Sequence, residues 1–205
     1  MIKRALVLSL VGVLALSVGA AAQEKGTWWL KVGGHVVDPK SDNGTVAGGA
    51  LDVTVSDSLR PTVMIEYFLA PGLGLELLAA WPFRHDVEVN GIEAATVDHL
   101  PPTLSLQYHF NGDGAVSPYV GAGVNYTLFF SEETRGPIAG TDLELDASFG
   151  LALHAGIDFR MSERLALGVD VRWIDIDSDA SVNGAEIGTV EIDPIAYGAY
   201  LRVSF

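Results

Sequence analysis

Cysteine is absent from the 205 residues of this chain, which excludes disulfide scaffolds, thiolate metal sites, thiol nucleophiles and a lipid-bearing N-terminal cysteine. Positive charge is scarce, because 12 Lys and Arg residues oppose 26 Asp and Glu residues and the formal net charge is −14. Nucleic-acid binding needs a basic surface, so we expect no nucleic acid as a partner. Hydrophobic residues make up 49% of the chain, too many for intrinsic disorder.

The longest uncharged apolar run of the chain stands at its N-terminus. Residues 1–4 include two bases, residues 5–18 are apolar and residues 20–22 offer an A-x-A cleavage site, which is the layout of a secretory signal peptide. A membrane-spanning helix would need about 20 apolar residues, and no later run approaches that length. We therefore predict a signal peptide over residues 1–22 and one domain over residues 23–205.

Alternation of apolar and polar residues with a period of two runs through the rest of the chain and indicates strands. Val120, Ala122, Val124, Tyr126 and Leu128 alternate with small or polar residues, and seven other segments follow the same rhythm. Short connections (residues 70–72, 111–116 and 161–164) alternate with long ones (39–57, 82–100, 131–146 and 178–188). This order predicts an all-β fold, an eight-stranded antiparallel up-and-down barrel with tight turns at one end and long loops at the other.

Two features predict that the barrel lies in the bacterial outer membrane. The polar face of the strands is rich in Gly, Ser, Thr and Asn and poor in charge, unlike a surface that meets water. Aromatic residues also suggest two interfacial girdles. One holds Tyr67, Tyr108, Phe110, Phe159, Tyr197 and Phe205 near the short turns, and the other holds Trp81, Phe129, Phe130 and Trp173 near the long loops. The short turns are then periplasmic and the long loops extracellular, with outer-membrane lipid and lipopolysaccharide as partners.

Five ordered segments of the chain resemble the OmpW family of bacterial outer-membrane proteins. They are residues 75–85 (LELLAAWPFRH), 95–104 (ATVDHLPPTL), 118–126 (PYVGAGVNY), 173–177 (WIDID) and 202–205 (RVSF). The resemblance implies an outer-membrane barrel that gives small hydrophobic molecules a passive route through a narrow apolar lumen. It also implies that Phe205 belongs to a C-terminal signal read by the barrel-assembly machinery during biogenesis.

Inward-facing positions predict two different halves of the lumen. The periplasmic half carries charges of both signs, which should pair where little water is present. This predicted plug comprises Lys31, Glu66, Glu76, Asp158, Arg160 and Arg202. The extracellular half is largely apolar and would line the solute path with Val37, Thr62, Met64, Leu78, Ala80, Phe129, Ala152, Ile174 and Ile176. Simple packing of a narrow interior explains the same residues equally well, and Arg172 would interrupt a continuous apolar path.

Three prolines fall where the third and fourth strands should leave the membrane: Pro82, Pro101 and Pro102. Proline cannot donate a hydrogen bond to a sheet, so it belongs at edges, strand ends or breaks. Two interpretations stay open. The prolines either punctuate ordinary loops or mark a lateral gap through which a hydrophobic solute could pass into the bilayer without meeting the charged plug.

No catalytic or metal-binding motif is present in the sequence, so we expect no enzyme activity, no metal and no cofactor. The five histidines lack metal-ligand spacing, and no G-x-S-x-G occurs. The acidic loop that begins at Asp175 carries Ala180 where a calcium loop needs glycine. Two function hypotheses remain: passive entry of small hydrophobic solutes, or a non-conducting barrel with a structural, adhesive or stress-related role.

Acidic residues concentrate in the predicted extracellular loops. Residues 38–57, 84–98, 132–146 and 175–193 hold 19 of the 26 acids, against three bases, Lys40, Arg84 and Arg135. Such a field repels anions and favours neutral solutes at the mouth of the barrel. We also expect that divalent cations bridge these acids to the anionic lipopolysaccharide layer.

Overall fold

The computed structural model describes residues 23–111 and 114–205, so the predicted signal peptide lies outside the described residues. Within these ranges the chain forms fifteen strands and one short 3-10 helix, Gly136–Ile138. The strands are β1 (Trp28–Asp38), β2 (Thr45–Val46), β3 (Leu51–Val55), β4 (Ser58–Ala70), β5 (Leu73–Ala80), β6 (Phe83–Val89), β7 (Ile92–Leu100), β8 (Thr103–His109), β9 (Val116–Thr134), β10 (Leu143–Leu145), β11 (Ser148–Arg160), β12 (Leu165–Ile174), β13 (Asp177–Val182), β14 (Ala185–Glu191) and β15 (Ile195–Ser204). No helix in the described part of the chain is long and apolar enough to cross a membrane.

Eight of these strands close into an antiparallel barrel, as predicted. Their order around the barrel is β1, β4, β5, β8, β9, β11, β12 and β15, and β15 pairs again with β1. Each of the eight barrel strands therefore pairs with the barrel strands that come before and after it in the sequence, which is the up-and-down arrangement. Closure leaves no unpaired edge among these eight strands, a requirement for strands surrounded by lipid.

The outer face of the barrel is apolar, which confirms the predicted inversion of polarity. Along β11, Leu151, Leu153 and Ile157 are exposed, while Ala152 and His154 between them are buried. The same alternation places large exposed apolar side chains on all eight barrel strands. Such a surface is unfavourable in water and is stable when lipid covers it.

Aromatic side chains form the two predicted girdles, with two corrections. Tyr197 lies near the extracellular end of β15, where it pairs with Val36 and Val171, because this strand enters the membrane from the extracellular side. Phe129 is half-buried and lies over His99, so it faces inward and does not belong to the girdle. Sequence alternation gave the face of each residue more reliably than its depth.

Glycines in the barrel interior make room for two tyrosine rings. A Cβ atom added to Gly168 would lie 2.1 Å from the ring of Tyr200, and one added to Gly156 would lie 2.4 Å from the ring of Tyr119. The hydroxyl groups of Tyr119 and Tyr200 are 2.8 Å apart and hydrogen-bonded. Large and small residues therefore complement each other across the narrow interior, as an eight-stranded barrel requires.

The long extracellular connections are more regular than predicted, because they form strands themselves. The upper part of β9 pairs with β7, and the sheet continues through β6 and β3 to β2. A separate sheet of β10, β13 and β14 stands opposite, joined to β2 by the Ala47 N–H, which donates to the Ile187 carbonyl oxygen (2.7 Å). Together these strands enclose a space above the barrel, and we call them the extracellular wall.

Arginine substitutions can test the orientation of the barrel in lipid. Leu153 lies on the outer face near the middle of β11, so Leu153→Arg should lower the free energy of unfolding by about 2–4 kcal/mol. The matched control is Leu59→Arg near the extracellular end of β4, where the cost should be about 0–1 kcal/mol. Urea unfolding of the protein in lipid vesicles measures both values. Equal costs at the two depths would contradict the proposed membrane position.

Candidate functional site

An apolar cavity of about 260 Å³ lies inside the extracellular wall. Its walls include Val46, Val53, Val87, Ala95, Ala180 and Val190, and the 3-10 helix contributes Pro137 and Ile138. The polar residues at its boundary are His85, His99, Asn90 and Ser178. For comparison, an engineered apolar cavity of about 150 Å³ holds one benzene molecule. The cavity can therefore accept an apolar molecule larger than benzene.

Most of the predicted lumen residues lie below this cavity, in packed parts of the barrel. Phe129 is the one member of the predicted set that lines the cavity. Ala152, Ile174 and Ile176 belong to the same buried apolar cluster as Val46 and Val190, which line the cavity, but they do not line it themselves. The other members are buried or half-buried lower in the barrel: Val37 and Ala80 beside Phe83, Met64 and Leu78 beside Tyr200, and Thr62 at 2.6 Å from His35. The alternative interpretation, simple interior packing, describes most of these residues.

A cluster of ionised side chains fills the barrel interior beneath the packed layer. Nζ of Lys31 lies 3.0 Å from Glu66 and 2.5 Å from Glu76, and all three side chains are almost completely buried. Glu66 and Glu76 are direct partners on β4 and β5, so the two carboxylates would repel each other without the lysine. Nε2 of His109 adds a contact to Glu66 at 2.9 Å.

Arg172 joins this cluster from above, although it was not among the residues predicted for the plug. Its guanidinium donates to Glu76 at 2.8 Å and to Asp170 at 2.7 Å. Asp170 is also 2.8 Å from Nε2 of His35. Ion pairing therefore extends higher in the barrel than the predicted periplasmic plug.

The periplasmic end of the cluster is built around Asp158. The Tyr200 hydroxyl donates to Asp158 at 2.9 Å, and Arg202 lies 3.4 Å from the same carboxylate and 3.7 Å over the ring of Trp29. Arg160 is a correction to the predicted plug: its side chain is exposed, because it stands at the last position of β11, beyond the enclosed interior. We use the term charged cluster for Lys31, Glu66, Glu76, Asp158, Asp170, Arg172 and Arg202.

The charged cluster separates the apolar cavity from the periplasmic end of the barrel. An apolar solute that moved straight down would have to displace ion pairs that are each nearly fully buried, and breaking such a pair costs several kcal/mol. A wide aqueous pore is equally incompatible with these contacts. In this structure the charged cluster therefore closes the direct path between the cavity and the periplasmic end.

The backbone pairing of the wall is interrupted at the three prolines. The β5–β8 ladder ends at the pair Leu78 and Thr103, and the β6–β7 ladder begins at the pair Phe83 and His99. Among the described residues, no ladder pair joins residues 79–82 to residues 100–102. Pro82 and Trp81 are held instead by β4, since Arg60 donates to the Pro82 carbonyl (2.8 Å) and the Trp81 N–H donates to that of Pro61 (2.9 Å). We call this break between the two ladders the interruption.

Charged groups on the extracellular wall pair with each other across its strands. Arg84 lies 3.1 Å from Glu133, Arg135 lies 2.5 Å from Glu93, and Lys40 lies 2.9 Å from Asp193. Each of the three loop bases therefore ties two wall segments together. The remaining acids give the outer surface its negative charge, and their contact with lipopolysaccharide stays a prediction.

The apolar residues of the cavity wall were not predicted from the sequence, because they lie in segments that were expected to be loops. Two signals were present. Apolar residues alternate in residues 51–55 (LDVTV), and Asn-Gly pairs at 90–91 and 183–184 are typical of tight hairpin turns. In the structure both Asn90 and Asn183 have positive φ angles, 50° and 52°, as such turns require.

Comparison with known proteins identifies the family of this barrel. The OmpW family profile matches residues 24–204. Outer membrane protein W of Escherichia coli (strain K12) is 35% identical over 201 residues, 94% of each chain. The crystal structure of the outer membrane protein OprG from Pseudomonas aeruginosa aligns with a TM-score of 0.80 and 32% identity, over 90% of this chain and 99% of that chain.

A shorter match carries a chemical name. The dibenzothiophene metabolism operon protein PahQ of Pseudomonas aeruginosa is 31% identical over 91 residues, which is 44% of this chain and 42% of PahQ. The profile match, the E. coli relative and the closed eight-stranded barrel agree with one another over nearly the whole described chain. This chain belongs to the OmpW family and is a β-barrel protein of the bacterial outer membrane.

Proposed function

We propose that this protein gives small apolar molecules a passive route from the cell exterior into the outer membrane. A solute enters the cavity of the extracellular wall and leaves sideways through the interruption into the bilayer. The observation that carries the proposal is the cavity itself, whose lining is almost entirely aliphatic. Such a lining favours molecules without hydrogen-bonding groups, since a polar group would lose its water without gaining a partner.

Two further observations support the sideways exit. The charged cluster lies across the direct path to the periplasm. An apolar solute cannot replace the ion pairs that it would have to break there. The interruption lies beside the cavity, because His99, two positions before Pro101, is part of the cavity wall. The name of PahQ connects one relative with dibenzothiophene, a flat fused-ring aromatic molecule, and this chemistry fits the cavity.

Filling the cavity should slow the uptake of an apolar solute. Ala180 is buried in β13 and lines the cavity, so Ala180→Phe places a ring inside it. We expect uptake of dibenzothiophene into vesicles that contain the variant to fall by about tenfold, which corresponds to about 1.4 kcal/mol. Fluorescence of the solute inside the vesicles follows the rate.

Ala185→Phe is the matched control, because Ala185 is exposed at the start of β14 and does not line the cavity. It should leave the uptake rate unchanged. If wild-type protein takes up solute no faster than protein-free vesicles, the proposed function is wrong and a structural or adhesive role becomes the better hypothesis. If both phenylalanine variants behave alike, the solute does not use this cavity.

A further inference from the structure

Two imidazole rings contact each other inside the extracellular wall. Nε2 of His85 lies 3.0 Å from Nε2 of His99, and both side chains are buried. Nδ1 of His85 lies 2.5 Å from the carbonyl oxygen of Ser56, which can only accept, so Nδ1 of His85 carries a proton. In the neutral ring Nε2 of His85 is then an acceptor, and the proton between the rings belongs to His99.

Nδ1, the second ring nitrogen of His99, is buried and has no hydrogen-bond partner among the described residues. The contact between the neutral rings needs only one proton, the one on Nε2 of His99. Nδ1 of His99 can still accept a further proton. When both rings are neutral, these contacts assign Nδ1–H to His85 and Nε2–H to His99.

The pair lies at the upper end of the interruption. His99 on β7 pairs with Phe83, the first residue of β6, and this is the first rung above the break. His85 stands two residues further along β6. The imidazole contact thus joins the strand that follows Pro82 to the strand that precedes Pro101. The imidazole contact therefore holds the first rungs of the β6–β7 ladder together, and these rungs must separate if the interruption is to widen.

Few charged groups stand near the pair. Asp57 precedes β4, Arg60 lies on β4 and Asp86 lies on β6, and these act on His85 in opposite directions. The sides facing β9 and β3 present uncharged groups, namely the ring of Phe129, stacked on His99, and the valines of β3. On β7, Asp98 is occupied by Arg84 at 3.8 Å. No described carboxylate contacts either ring to stabilise a positive charge on it.

Burial lowers the pKa of His85 below its ordinary value, although the Ser56 carbonyl opposes this effect. Burial lowers the pKa of His99 much further, and the neighbouring His85 adds to the effect. The closed arrangement therefore binds fewer protons than an arrangement in which the rings are separate and hydrated. By linkage, closure is fully favoured above the ordinary imidazole pKa of about 6.5 and weakens as the pH falls below it.

We propose that His85 and His99 form a proton-operated latch on the lateral exit. The neutral pair holds β6 against β7, and protonation of both rings places two positive charges in contact, which separates the strands and widens the interruption. The inference rests on the proposed lateral route, because it assigns a regulation to that same exit. The imidazole pair borders the cavity, and the role assigned to it is to control how quickly the solute leaves.

Uptake of naphthalene, which does not titrate, tests the latch. In vesicles containing the wild-type protein, uptake should be faster at about pH 5 than at about pH 8, since each unit of pKa depression changes the open-to-closed ratio about tenfold. His99→Gln keeps a donor for His85 but cannot take up a further proton, so its ratio of acid to alkaline uptake should fall to about one. His85→Gln should have the same effect.

His154→Gln is the matched control. His154 is a buried imidazole of the barrel interior that hydrogen-bonds Gln107 (3.0 Å) and does not line the cavity, so this variant should keep the wild-type ratio. Gel mobility with and without heating establishes that each variant contains a folded barrel. A wild-type protein that takes up naphthalene at the same rate at both pH values overturns the latch.

Nitrogen-15 NMR of the histidines in lipid vesicles tests the pair without any uptake. The latch predicts two neutral rings of opposite tautomer at about pH 7.5, and two charged rings after acidification below the ordinary range of about 6.5. Charged rings at the higher pH, or identical tautomers, overturn it. Absence of uptake at every pH would instead refute the proposed function, so the two failures are distinguishable.

Discussion

A covalent link across the interruption should abolish the uptake of apolar solutes. Ala79 and Pro102 would form the next ladder pair after Leu78 and Thr103 if the ladder continued. In the double variant Ala79→Cys, Pro102→Cys, a short bifunctional thiol reagent would join the two sides. If the solute leaves sideways, uptake should fall to the rate of protein-free vesicles. If the reagent contains a disulfide, adding a reducing agent should cleave the link and restore the uptake rate.

The control keeps Ala79→Cys on β5 and links it to β4, on the side of β5 where the ladder is continuous. Val63 on β4 is the ladder partner of Ala79, so Ala79→Cys with Val63→Cys can be joined without closing the interruption. The chain contains no natural cysteine, so the reagent acts only at the introduced positions. Linking the cysteines of the variant Ala79→Cys, Val63→Cys should leave the uptake rate unchanged. Unchanged uptake after linking Pro102→Cys would show that the solute does not leave between β5 and β8.

Removal of Lys31 should produce the largest loss of stability among single substitutions in the barrel interior. Lys31 is fully buried, lies within 3.0 Å of two carboxylates and contacts the rings of Tyr119 and Tyr200 at 5.0 Å and 5.4 Å. Lys31→Met leaves Glu66 and Glu76 opposed without their shared cation. The free energy of unfolding in lipid vesicles should fall by about 3–5 kcal/mol.

Two comparisons separate this effect from a loss of side-chain volume. Lys25→Met makes the same substitution at an exposed position and should change the free energy of unfolding by no more than about 0.5 kcal/mol. Lys31→Met combined with Glu66→Gln and Glu76→Gln should recover much of the loss, because the two opposed carboxylates are gone and Arg172 keeps Asp170 as its partner. If the triple variant is less stable than Lys31→Met alone, repulsion between the carboxylates is not the cause.

The barrel could be predicted from the sequence because its pattern is local. A period of two determines which face of a strand a residue occupies, and lipid requires an apolar face on every barrel strand. The same rule placed Lys31 and Glu76 inside. It failed for Arg160, because alternation gives direction but does not tell where the enclosed interior ends. Tyr197 was misplaced for a related reason, since its depth depends on the direction in which β15 crosses the membrane.

The cavity could not be predicted from the sequence because it depends on pairings between distant segments. Ala95 on β7 pairs with Thr134 on β9, and Ala47 bonds Ile187 near the other end of the chain. Short alternating segments such as residues 51–55 predict a strand but not its partner. The contact between His85 and His99 likewise follows from the register of β6 and β7, which includes an irregularity between Val87 and Glu88.

Strand β9 belongs both to the barrel and to the extracellular wall, so its placement affects the folding of both. Its lower part pairs with β8 and β11 in the barrel, while its upper part is the edge on which β7 and the rest of one wall sheet are built. We expect the wall to be completed after the barrel has closed, because closure fixes the position of the strand on which one wall sheet is built. During biogenesis or refolding, the alternating apolar segments of the wall would stay in water until then and would be prone to aggregate. A preparation with a closed barrel and an unfinished wall would pass a gel-mobility assay for folding and still lack the apolar cavity.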